Sequence, residues 1–95
     1  MALYAVTCLD KPGSLELRLA NRPDHLAYAQ ASGKVRLAGP FLDADEKPCG
    51  SLLLIEAGSL EEAQGFAAAD PYAKAGLFSE VSVRPWRPAI GGFAD

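Results

Sequence analysis

The chain has 95 residues, 49% of them hydrophobic and 22% charged, with a formal net charge of −3. That length fits one domain, the composition excludes disorder, and an acidic balance without a Lys/Arg stripe speaks against a nucleic-acid partner. Apolar runs such as Ser51 to Ile55 are too short to span a bilayer, and the N-terminus lacks the basic start and long apolar core of a signal peptide, so no membrane partner and a cytoplasmic setting are expected.

In chain order, residues 2–8 are apolar and β-prone and end at Asp10-Lys11-Pro12-Gly13, which predicts a central strand followed by a loop. Cys8 in that run reads as packing. Ser14 is placed as a helix N-cap with Glu16 in the first turn, and Leu15, Leu19 and Leu26 recur at helical spacing. Pro23 predicts a break, giving one helix over 14–21 and a second over 23–32 that ends at Gly33. Residues 34–42 read as a second strand, with Val35, Leu37 and Gly39 facing one way. Its Gly39-Pro40 pair argues for an edge position or a bulge. A polar connection over 43–48 leads past Cys49, a turn or strand-start residue, to a third, central strand over 51–56.

Ser59-Leu60-Glu61-Glu62 has the form of a capping box, with Ala63, Phe66 and Ala67 on one face of the helix it starts. Asp70-Pro71 breaks that helix, a further turn stops at Gly76, and residues 77–86 form a fourth strand with Val81, Val83 and Pro85 on one side. The order is β-α-β-β-α-β. It predicts an α+β, ferredoxin-like sandwich: a four-stranded antiparallel sheet with helices on one face. Strands this apolar need cover on the other face, and a second copy of the chain is the economical cover.

Two cysteines, one histidine and no CxxC pair supply neither a disulfide framework nor a zinc ligand set, so no metal is expected. The lone histidine, His25, follows Arg18 and Arg22 at helical spacing, a cationic face that suits an anionic ligand. Asp70 has two readings: a cap for the turn that Pro71 opens, or a partner reaching His25. In the second, the carboxylate would fix the imidazole tautomer and raise basicity at the other nitrogen, making a general base. Spacing does not choose between them.

Asp10-Lys11-Pro12-Gly13-Ser14-Leu15, Arg22-Pro23-Asp24-His25-Leu26, Ala38-Gly39-Pro40, Gly50-Ser51, Asp70-Pro71-Tyr72 and Val81-Ser82-Val83-Arg84-Pro85-Trp86 together resemble the YciI-like, or YCII-related, proteins. The resemblance covers residues 2–88, so residues 1–88 are expected to form the domain and 89–95 an irregular tail. It implies a dimeric α+β barrel, with a homodimer or a higher assembly of dimers. It also implies a pocket holding His25 and Asp70 as a catalytic pair, with Arg22, Gly39, Pro40, Ser51 and Tyr72 binding a small molecule and no cofactor. In the wider superfamily one member removes chloride from a chlorinated hydroxyquinol; others isomerise lactones or oxidise small aromatics. The resemblance therefore implies lyase- or isomerase-type proton transfer, with His25 as base or acid, Asp70 orienting it, and Arg22 or Arg18 offsetting charge on a phenolate or enolate. A non-catalytic ligand-binding module, or a structural dimer with a merely satisfied pair, are the alternatives. Trp86 and Phe93 are expected over the partner, over the pocket mouth, or in local packing.

Overall fold

A computed structural model describes residues 2–91. Its elements are β1 (Ala2–Asp10), α1 (Leu15–Ser32), β2 (Val35–Leu42), β3 (Pro48–Ala57), α2 (Leu60–Ala68), a four-residue α3 (Pro71–Lys74) and β4 (Phe78–Trp86). The strands make one sheet in the order β2-β3-β1-β4, with every neighbouring pair antiparallel. The expected ferredoxin-like sandwich is thus present. The two most apolar strands, β1 and β3, lie at its centre, and β2, with its internal Pro40, lies at an edge.

Alternation sorts the residues between the two faces. Tyr4, Val6 and Cys8 of β1 and Ser51, Leu53, Ile55 and Ala57 of β3 are buried on the helix side. Ala63, Phe66 and Ala67 of α2 close on that surface and complete the apolar core. Tyr28 of α1 joins it by stacking on Phe66 at 5.0 Å and donating its hydroxyl hydrogen to the Phe66 carbonyl at 2.7 Å. The opposite face carries Leu3, Leu9, Leu37, Leu52, Leu54 and Trp86, by their pairing positions.

Several local expectations need correction. Pro23 does not split the first helix: α1 runs unbroken from Leu15 to Ser32. An internal proline costs a helix about 3 kcal/mol. Here buried side chains on both sides of it, Arg18 and His25, anchor the two turns to one cluster and hold them in line. Ser14 stands at the N-cap position but makes no capping hydrogen bond. Val35 and Leu37 do not share a face, because the β2–β3 register shifts between them, leaving Val35 opposite Ile55 and Leu37 opposite Leu54. The capping box forms, with one change: Ser59 Oγ accepts from Glu62 N at 3.1 Å, but the Glu62 carboxylate accepts from Gly58 N, at 2.7 Å, instead of from Ser59. Phe93 lies outside the described residues.

Candidate functional site

The buried face of α1 is not its leucine face. Arg18, His25 and Ala29 point inward, while Leu19 and Leu26 are exposed. The helix therefore lays a polar stripe over the sheet, and it cannot close onto the strands as α2 does. A cavity of about 300 Å³ remains between α1 and the β2–β3 edge. Arg22, His25 and Leu26 line it from the helix, Gly39, Pro40 and Ser51 from the strands, and Tyr72 from α3. Six of the seven residues picked from the sequence thus border one space. The seventh, Asp70, stands behind His25.

Asp70 makes the contacts of both readings at once. Its Oδ1 accepts from Tyr72 N at 2.9 Å, capping α3, and both carboxylate oxygens lie 2.9 Å from His25 Nδ1. Pro71 at the first helical position explains the geometry: it fixes the turn that aims the cap inward. In a bond between an imidazole and a carboxylate the carboxylate oxygens accept, so Nδ1 donates here and Nε2 is the ring nitrogen outside this contact. Asp70 and His25 are 4% and 8% exposed, so the pair is shielded from bulk water.

Tyr72 locks the histidine ring. The two rings stack with centroids 4.0 Å apart and planes 14° from parallel. The Arg18 guanidinium carbon lies 4.6 Å from the centre of the same tyrosine ring. The tyrosine ring thus packs against both side chains. Burial pushes the Tyr72 phenol above its usual range, and nearby Arg18 and Arg22 only partly offset this. It stays protonated at neutral pH.

Arg18 is not the free cation the spacing suggested. Its Nε and Nη2 donate to the two oxygens of Asp10, at 2.6 and 2.9 Å, and Nη2 also donates to Ser51 Oγ at 2.8 Å. Burial works against its charge, but the bonds and charge of Asp10 more than restore it, so its pKa is raised. Arg22, exposed at the cavity wall, makes no ion pair among the described residues. Asp10 had read as a loop boundary; only the fold brings it to Arg18.

Gly39 does not serve close approach by another part of the chain, since a Cβ there would meet no protein atom within 4 Å. Gly50 does: a Cβ there would fall 2.5 Å from the Cys8 carbonyl oxygen and 3.0 Å from the Phe41 ring. It seats β3 against β1 immediately before Ser51. Cys8 is no nucleophile, because burial pushes its thiol up to about 12. Trp86 pairs with Leu3 on the far face and does not border the cavity.

The chain is 42% identical to protein YciI of Escherichia coli over 94 residues, covering 90% of this chain and 96% of that one. It is 38% identical to a protein of the derivative of benzaldehyde biosynthesis cluster of Emericella nidulans, covering 74% and 79%. Among solved structures, the 5-chloro-2-hydroxyhydroquinone dehydrochlorinase of Burkholderia phenoliruptrix, in complex with 2,5-dihydroxybenzoquinone, superposes with a TM-score of 0.85 at 38% identity, covering 92% of this chain and 95% of that one. An antibiotic biosynthesis monooxygenase at 10% identity and a TM-score of 0.59, covering 95% and 100%, shares the α+β barrel fold alone. No helix among the described residues is long and apolar enough to cross a membrane. The model of the YCII-related domain matches residues 2–87, and with these relatives it establishes that the chain belongs to the YCII-related domain family.

Proposed function

We propose that this chain is a small-molecule enzyme of lyase or isomerase type that works by proton transfer at His25 and needs no cofactor. The observation that carries the reading is the buried His25–Asp70 pair facing a cavity that also holds Arg22. Nε2 takes a proton from an oxygen or carbon acid; the bond's electron pair moves into the substrate, and Asp70 stabilises the imidazolium. Arg22 offsets the phenolate or enolate charge. The proton returns at a ring carbon; where that carbon carries a leaving group, Nε2 then takes a second hydroxyl proton, the electron pair expels the group as its anion and a quinone remains, and where it carries none the product is the tautomer. A cavity of about 300 Å³ suits a single substituted ring. The dehydrochlorinase relative, with its bound dihydroxybenzoquinone, supports a hydroxylated aromatic or quinoid substrate class. The apolar far face of the sheet supports a homodimer, checked by sedimentation.

Turnover and binding of chlorinated and unchlorinated polyhydroxybenzenes test the reading, with chloride release followed by ion chromatography and binding by calorimetry. We expect His25→Ala to lower turnover by about 10²–10⁴-fold, the range of general acid–base catalysis. Its melting temperature should fall by only a few degrees, because Asp70 keeps its cap on α3. Tight binding without turnover in the wild type would make the protein a ligand-binding module. Neither binding nor turnover, with a large melting-temperature loss in His25→Ala, would reduce the pair to a structural one.

A further inference from the structure

Ser51 is 4% exposed and lines the cavity from the central strand β3. A hydroxyl has one hydrogen to give and lone pairs to accept with. The acceptor side is taken: Arg18 Nη2 donates to Ser51 Oγ at 2.8 Å. A guanidinium has donors only, so this bond cannot run the other way. Arg18 is itself held by both oxygens of Asp10 and by the Tyr72 ring, so its donor arrives in a fixed direction. Among the described residues no group accepts the Ser51 hydrogen. A buried hydroxyl whose hydrogen finds no partner in the wall of its own cavity directs it into that cavity. Accepting from a cation also polarises the hydroxyl and strengthens it as a donor.

We propose that Ser51, a binding position by the family resemblance, acts there as a hydrogen-bond donor to a carbonyl or phenolate oxygen, with Arg18 as the positioning residue that fixes its polarity. This rests on the reading of His25 as the proton acceptor and narrows its substrate class. The substrate carries two functional points: an acidic proton presented to His25 Nε2, and an oxygen acceptor at the sheet floor. Hydroxyquinones and polyhydroxybenzenes meet both requirements, and a monophenol lacks the second. Arg22 and Ser51 then divide the work, one meeting net charge at the rim and the other a specific oxygen inside.

Two measurements on the full chain test this. Neutron diffraction from deuterium-exchanged crystals of the free protein should place the Ser51 deuteron pointing into the cavity, away from Arg18; a deuteron bonded to a protein acceptor overturns the proposal. Calorimetry with 2,5-dihydroxybenzoquinone should show about tenfold weaker binding in Ser51→Ala, the scale for leaving a buried acceptor without its donor, and near-native binding in Ser51→Thr. Phenol should bind both proteins equally. Arg18→Lys should weaken quinone binding in the wild-type background and add nothing in Ser51→Ala; a purely structural role would weaken both alike. Loss of binding in His25→Ala with none in Ser51→Ala overturns the Ser51 proposal and leaves the functional reading standing. A wild type that binds no quinone overturns both.

Discussion

The two long helices cover the same sheet face and do opposite things there. Under α2 the layer is dry: Ala63 and Phe66 sit on Ile55 and Ala57, and each of these is at most 6% exposed. Under α1 the buried polar side chains are an arginine, a histidine and, from neighbouring elements, two aspartates and a serine, every one of them hydrogen-bonded. A small domain has little apolar core to spare. This one concentrates it beneath α2 and around the central strands, and gives the α1 half to a rigid polar wall and a cavity. The sheet joins the halves: alternate residues of β3 run from Ala57, Ile55 and Leu53 in the dry region to Ser51 in the polar one.

The comparison breaks first where each half is held. Phe66→Ala should cost about 3–5 kcal/mol by denaturant unfolding, as large-to-small changes in dry cores do. Arg18→Met should cost a similar amount, about 3–5 kcal/mol, for a different reason: it leaves the Asp10 carboxylate buried without its partner. The second partner change then separates the mechanisms. Adding Asp10→Asn to Arg18→Met should restore much of the loss, whereas no polar change should rescue Phe66→Ala. If the double variant is no more stable than Arg18→Met, the cost lies in lost packing against Tyr72 and not in an orphaned charge.

The helix starts sharpen the contrast at smaller scale. Ser59 caps α2 through its side chain and Ser14 does not cap α1. Ser59→Ala should therefore cost about 1 kcal/mol, and Ser14→Ala only a few tenths at most. Equal losses would mean that Ser14 adopts its cap in solution.

These differences show what the sequence made legible and what it did not. Strand positions were legible because Gly, Pro and polar clusters bound them, although β3 starts at Pro48 and β1 runs on to Asp10, in what had read as connections, and the α2 face was legible because an apolar stripe met an apolar sheet. The inward face of α1 was not, because periodicity arguments assume that the buried stripe is the greasy one. Leu19 and Leu26 marked the wrong side, and Arg18 looked like a ligand cation because its partner lies on another element. The β2 register shift and the need for Gly50 depend on how neighbouring strands meet, information that no single strand contains. His25, Asp70 and Tyr72 stood out because Arg-Pro-x-His-Leu and Asp-Pro-Tyr are unusual together, while the bond between them awaited the fold.

The smallest effect is one of pH, and it belongs to the α2 start. Hydrogen bonding from Gly58 N and the nearby Lys34 hold the Glu62 carboxyl below its ordinary value. A carboxyl whose pKa is lower folded than unfolded contributes stability that is fully present above the unfolded value, about 4.5, and lost as pH falls through the folded one. Glu62 lies at the surface, so the contribution is small and screened by salt. Melting temperatures of wild type and Glu62→Gln should therefore differ most near neutral pH and at low ionic strength, and converge as the pH falls well below 4.5. A gap that persists in acid would assign the benefit to packing of the Glu62 side chain over Gly58 and leave the α2 cap without its charged member.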